Sequence, residues 1–463
     1  MPDAPDVPDA PDVPVVPERV ELLVVGDVLT MDTARRRYRQ GAVAVGDGAV
    51  VAVGALDALR ARWPRMPELG GPGHIVAPGF VDAHQHLTGD RLVRASIPDH
   101  LSAEVAIMRW AVPLHAALTA EDDSLAATLA AAEALAAGVT TVIDAGTVAH
   151  PSAVAAACRA AGIRARVGRW GSDAPGLPQT ASVHDVIERQ RALLDELGAS
   201  PTDLVHAQVA LVGHDLMSDE LVVAASVLAR ERGAALTFHL SPDRRDGAAY
   251  VARTGRRPLV HLRGLGVLGD HVLVAHAVHI DDGELDALVA TQTAVAACPW
   301  AYLRLAQGVT TGGRYGELLA RGGRLALGCD SENAGDRIDV LGAAALLAGL
   351  VRDRAEDPTV GTAADALALA TSAGAAAVGL GEVVGSITVG RRADLVVLRP
   401  PAPAGDPYLE LVWGQGVRSV RHVLVDGHVV VRGGAVTTID VGAAGAAAAE
   451  RRVALARAAG LEL

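Results

Sequence analysis

The 463-residue chain carries 41 basic and 54 acidic side chains, a formal charge of −13, and every basic residue is arginine. Without lysine it cannot build the phosphate loop of an ATPase, the Schiff base of a pyridoxal enzyme or a metal pair bridged by carboxylated lysine. Its 50% hydrophobic content and lack of a basic stripe fit a globular protein with a large core and argue against a nucleic-acid binder.

At the start, PDAPDV occurs at Pro2–Val7 and again at Pro8–Val13. Alternating Pro and Asp favour extended polyproline II, so residues 1–17 read as a disordered Pro/Asp tail. This tail has neither the basic nor the apolar region of a signal peptide. No apolar run reaches the roughly 18 residues of a spanning helix. A cytoplasmic protein without membrane contact is expected. Cys158, Cys298 and Cys329 are too widely spaced to suggest a disulfide framework or a Cys-rich zinc site.

From Arg19 onward, VELLVVGDVLTMD, GAVAVGDGAVVAVG and HIVAPG are short β-branched runs broken by Gly-Asp and Asp-Gly, the chemistry of hairpin turns. The same texture returns in GSITVGRRADLVVLRP and SVRHVLVDGHVVVRGG. Residues 18–76 and 385–440 are therefore expected to form one small composite β-sandwich. Between them, over 77–384, apolar runs such as TTVIDAG, ARVGRW, ALTFHL, HVLVAHAV and RLALGCD alternate with Ala/Leu-rich helical stretches. Alternating β and α with buried strands signals a parallel sheet covered by helices. The expected fold class is α/β, a (β/α)8 TIM-like barrel plus the small β-sandwich from both chain ends. A doubly wound open sheet is the runner-up, disfavoured because no GxGxxG follows an early strand. Residues 441–463, rich in alanine, read as a C-terminal helix.

APGFVDAHQHLTGD carries the sharpest signal. In an extended strand His84 and His86 point to the same side, which makes a compact two-imidazole metal platform. His239 ends the run ALTFHL, His276 lies in HVLVAHAVH, and Asp330 ends RLALGCD. Each falls at the C-terminal end of an expected barrel strand, where barrel active sites form. Imidazoles and one carboxylate at such a place bind Zn2+ or Fe2+ with room for water.

Taken in order, PGFVDAHQH, AAEALAAGVTTVID, TFHL, VAHAVHIDDGEL, ACP, LALGCDSEN and GSITVGRRADLVVL resemble the amidohydrolase superfamily, in its cytosine-deaminase-like and triazine-hydrolase-like branch. The resemblance extends from about residue 20 to 435. It implies that His84, His86 and His239 are metal ligands and that Asp330 is both a ligand and the group that takes a proton from the attacking water. It implies a non-ligand role for His276, beside substrate or water, and a structural one for His279. One divalent metal is implied, Zn2+ first and Fe2+ second, and the missing lysine agrees with a mononuclear site. A small-molecule substrate and a homodimer or higher homo-oligomer are also implied.

Two departures bear on the substrate. Relatives that deaminate heterocycles carry His-x-x-Glu after the fifth strand, whereas here the run is His239-Leu240-Ser241-Pro242-Asp243. Proline cannot transfer a proton, so Asp243 or Glu332 is the candidate replacement. After the seventh strand the chain reads Cys298-Pro299-Trp300-Ala301-Tyr302-Leu303-Arg304, which suggests a pocket wall of Trp300, Tyr302 and Arg304. Gln208 and His206 alternate on LVHAQVALVG, and Gln208 is a candidate for binding an amide-like substrate edge. The expected activity is a mononuclear metal-dependent hydrolase of a C–N bond, an aminohydrolase of an N-heterocyclic or amidine-like molecule. Amide or C–Cl hydrolysis with a better leaving group is the alternative within enzymes. A non-catalytic metal-binding protein is the alternative from another class.

Overall fold

The computed structural model describes residues 19–331, 333–401, 405–414 and 416–461, so the expected tail at 1–17 lies outside it. The chain opens with β1 (Leu22–Leu29), β2 (Arg37–Gly46), β3 (Ala49–Ala55) and β4 (Glu68–Pro78). It then runs through β5 (Phe80–Gln85), β6 (Val139–Asp144), β7 (Arg164–Val167), β8 (Val205–Ala207), β9 (Val209–Gly213) and β10 (Leu236–Leu240). Next come β11 (Val272–His276), β12 (Ala294–Ala297) and β13 (Arg324–Leu327). The chain returns to hairpins with β14 (Leu395–Leu398), β15 (Val420–Val425), β16 (His428–Arg432) and β17 (Ala435–Val436).

Both chain ends build one sheet in the order β17-β16-β15-β14-β4-β1-β2-β3. Their junction is β4, parallel to β1 and antiparallel to β14, with Val76 opposite both Val28 and Val397. The Asp-Gly signals turn out as hairpin turns with both residues left-handed, φ 49° and 76° at Asp47-Gly48 and 47° and 75° at Asp426-Gly427. Alternation along the strands separates two apolar faces. Val24, Val43, Val45, Val53, Val397 and Leu424 share one core. Leu23, Val25, Ala42, Ala44 and Ala52 share another with Leu59 of the helix Leu56–Arg62.

The middle of the chain is a parallel barrel with helices outside. Strands β5 to β8 and β9 to β13 form two parallel runs. Gln208 alone separates β8 from β9, so these two are halves of one strand position. The ring closes where Gln85 bridges Asp330 in parallel. Val272, Val274, Val295, Leu325 and Leu327 point outward into the main helix-covered core. The alternate residues Ala83, Leu273, Ala294, Ala296 and Ala326 form a separate interior cluster, closed off by Leu380, Val383 and Val384.

Arg164 fastens the barrel to the terminal sheet. Its side chain is fully buried and donates to both carboxylate oxygens of Asp394, at 3.0 and 3.2 Å, and to Asp426. The helix Val441–Ala458 is capped by Asp440 and packs on the helix Ala120–Ala136, where Arg451 pairs with Asp122. Among the described residues no helix is long and apolar enough to cross a membrane.

Candidate metal centre

His84, His86, His239, His276 and Asp330 converge at the C-terminal end of the barrel. Ligand atoms of His84, His86 and His239 lie within 4.8 Å of one another, as do those of His84, His276 and Asp330. His239 Nε2 is 3.3 Å from His86 Nε2, and Asp330 Oδ1 is 3.3 Å from His86 Nε2 and 3.8 Å from His84 Nε2. Bonds of about 2.0–2.1 Å arranged tetrahedrally put ligand atoms about 3.3 Å apart, so these spacings fit a metal-binding cluster. The Nδ1 of His276 faces the other carboxylate oxygen, Asp330 Oδ2, at 4.0 Å.

The local structure prepares the donors. His239 Nδ1–H donates to Val212 O at 2.6 Å, and His86 Nδ1 pairs with Thr147 Oγ1 at 2.7 Å, which turns each Nε2 toward the site. Both ring nitrogens of His84 are buried without a hydrogen-bond partner among the described residues. Burial holds His84 and His239 well below the ordinary histidine value, which keeps both neutral and able to coordinate. It also lowers His276 to about 4, against the pull of Asp330. Burial would raise Asp330, but the hydrogen bond of His86 and the charges of His276 and His84 outweigh it and keep the carboxylate well below its usual range. Asp82 sits beneath and accepts from the backbone N–H groups of His84 and Cys329 at 3.2 and 3.1 Å.

Backbone strain collects here. Ser241, His276, Ala277 and Asp330 all have φ between 50° and 81°, a conformation costing about 1–3 kcal/mol each away from glycine. Gly213 shows why the packing is tight, since a Cβ there would come within 2.5 Å of the backbone N of His239.

The other expected residues are placed differently. Asp243 caps the helix Arg244–Thr254, its Oδ1 accepting from the N–H of Arg245 and of Asp246. An Asp just before a helix is drawn to the unpaired amides of the first turn, and that is the role these bonds give it. Glu332 lies outside the described residues. The expected wall after β12 is instead the helix Pro299–Arg304, and a helix sends residues two apart to different faces. Trp300 Nε1–H donates to Asp339 O under the guanidinium of Arg337. Tyr302 is buried, its hydroxyl accepts from Cys298 N–H at 2.8 Å, and its ring meets His276 edge-on at 5.7 Å. Arg304 pairs with Asp336 at 2.6 Å and lines a cavity of about 630 Å3 with His279, Asp243, Arg244 and Arg245. Gln208 faces inward, with Nε2–H donating to Asp144 O at 2.6 Å. His279 Nε2 bonds Gln307 O at 2.7 Å, a structural contact.

Two residues of the site escaped the sequence reading. His214 stacks on His239 at 5.4 Å and faces Asp246, whose Oδ1 is 3.5 Å from its Nδ1. It follows the run VALVG of β9, so the strand-end rule applied to the other histidines reaches it too. Tyr315 donates its hydroxyl to His276 O at 2.7 Å and stacks on Tyr302, and nothing in its local sequence signals this.

The profile of the Amidohydrolase family matches residues 75–430. The chain belongs to this family. It is 32% identical over 428 residues to a 5-methylthioadenosine/S-adenosylhomocysteine deaminase of Syntrophobacter fumaroxidans, covering 91% of this chain and 94% of that one. It is similar, at 27% identity and TM-score 0.89, to the crystal structure of a Xanthomonas campestris adenosine deaminase with bound zinc, over 96% of this chain and 100% of that one. The atrazine chlorohydrolase of Arthrobacter aurescens, at 23% identity and TM-score 0.82 over 94% and 99% of the two chains, shares the fold. As a family member the chain is a hydrolase of carbon–nitrogen bonds, and its clustered His and Asp side chains fit a metal ion.

Proposed function

We propose that this protein removes an exocyclic amino group from a purine-type N-heterocycle, using one Zn2+ held by His84, His86, His239 and Asp330. The broader class, metal-dependent aminohydrolysis of an N-heterocycle, follows from the family and from relatives named as adenosine-type deaminases. The carrying observation is the convergence of three buried imidazoles and Asp330, with His276 opposite the second carboxylate oxygen. The metal, when bound, supplies Lewis acidity that makes water nucleophilic near neutral pH. Asp330, kept ionised by its imidazole neighbours, accepts a proton at Oδ2. His276, braced by Tyr302 and Tyr315, orients the electrophile and stabilises developing charge. We further propose a cytoplasmic homo-oligomer acting on a small molecule.

A second reading is favoured by Pro242, which occupies the position of the proton-donating glutamate. A better leaving group than ammonia, such as an amine or chloride, needs less acid assistance. Metal-replete protein assayed on adenosine-type nucleosides and on amino- and chloro-substituted heterocycles separates the readings. Ammonia release from the nucleosides is the expected result. Halide or amine release without ammonia would replace the deaminase reading by the second.

A further inference from the structure

Arg166 lies two residues after Arg164 on β7, and the two share one face of the strand. Their neighbours Ala165 and Val167 pack outward into the helix-covered core, so both arginines face the barrel interior. Arg164 meets two carboxylates there. Arg166 meets none. It is only 6% exposed, and its one hydrogen bond among the described residues is Nε–H to His206 Nε2 at 3.2 Å.

His206 does not balance the charge. Its Nδ1–H donates to Asp203 O at 3.3 Å, so Nε2 is the accepting nitrogen of a neutral ring. Burial and the neighbouring Arg166 hold His206 down to about 3. Burial lowers Arg166 to about 10, which leaves it a cation at neutral pH. A guanidinium has five N–H donors, and the four on Nη1 and Nη2 have no protein acceptor among the described residues. An uncompensated buried cation is costly unless something neutralises it.

The interior opposite is lined by the small side chains of Ala83, Ala294, Ala296 and Ala326. On β6, level with Arg164 and one layer below Arg166, Thr141 Oγ1 is buried without a hydrogen-bond partner among the described residues. Thr141 supplies a hydroxyl donor, and Ile143 and His206 sit level with Arg166 on either side.

We propose that the barrel interior beside Arg166 is a binding site for a small monovalent anion, held by the guanidinium Nη groups. The proposal uses none of the metal-site side chains and stands whether or not the deaminase reading holds. The chemistry is common to a free halide and to a carboxylate, and bromide and formate are the probes that distinguish them. Unfolding midpoints of the metal-replete full chain are measured at constant ionic strength while bromide or formate replaces sulfate. Wild-type protein should show a saturable rise of about 2 °C or more with at least one probe, and Arg166→Met should lose it. Crystals grown in bromide should show an anomalous peak within hydrogen-bond distance of Arg166. A response to bromide assigns a halide site, and a response to formate alone assigns a carboxylate site. A midpoint that neither anion shifts, or that shifts equally in Arg166→Met, together with only water beside the guanidinium, overturns the proposal. If Arg166→Met does not fold, the wild-type titration and the anomalous map still decide.

Discussion

The two ends of the barrel treat buried polar groups in opposite ways. At the N-terminal end Arg164 is fully buried, yet Asp394 and Asp426 take up its donors, and Asp394 also accepts the N–H of Asp426. At the C-terminal end both ring nitrogens of His84, Nδ1 of His276, the Ser241 hydroxyl, Trp170 Nε1 and the Asn333 amide are buried without hydrogen-bond partners among the described residues. The left-handed backbone of Ser241, His276, Ala277 and Asp330 lies there as well. Unmet hydrogen bonds and strain gather at the end that must receive something, while the buried charges of the Arg164 cluster are paired at the end that must hold. Burial alone therefore does not locate a site, because fully buried polar side chains occur at both ends.

Removing the charge of Asp330 is the strongest way to break this division. Asp330→Asn should lower turnover roughly 10^2–10^4-fold while leaving the fold intact. Metal analysis alongside steady-state ammonia release checks it, with lost metal and lost turnover moving together. Full activity in this variant would remove Asp330 from the mechanism. The opposite end should respond in the opposite way. Arg164→Met leaves Asp394 and Asp426 buried without their cation, which costs about 3–5 kcal/mol of stability. Urea unfolding measures that loss, and turnover per folded molecule should be unchanged. If activity fell instead, the two ends would not be separable as described.

Legibility in the sequence followed the same division. His84, His86, His239, His276 and Asp330 were readable because each ends an apolar strand run, and position along a strand is a local property. The composite sheet was readable from its Asp-Gly turns, although that β4 is the strand joining the two chain ends was not. Arg164 looked like one more arginine in ARVGRW, since its partners lie 230 and 262 residues away. Asp243 was read only as a carboxylate near the missing glutamate, and its capping role was missed although the helix begins immediately after it. For Trp300, Tyr302 and Arg304 the helix that carries them was not read. Pro299 is well suited to the first position of a helix, and that helix turns Tyr302 inward to brace His276.

The smallest expected effect lies on the barrel's outer layer, at the C-terminal helix. Arg451 donates to Asp122 Oδ2 at 2.9 Å, but its side chain is partly open to water, and Leu455 and Ala456 already bury the helix's apolar contacts. An ion pair that water can reach contributes about 0–1 kcal/mol. Arg451→Ala should therefore lower stability by no more than that, less in high salt, with turnover untouched, as a salt series of urea unfolding curves would measure. A loss several times larger would mean that Asp122, nearly buried beside Thr119 at the start of the helix Ala120–Ala136, behaves like Asp394 once its cation is gone. The line between groups that hold the fold and groups that only decorate it would then be drawn by how completely the carboxylate is enclosed, and distance from the metal centre would not enter.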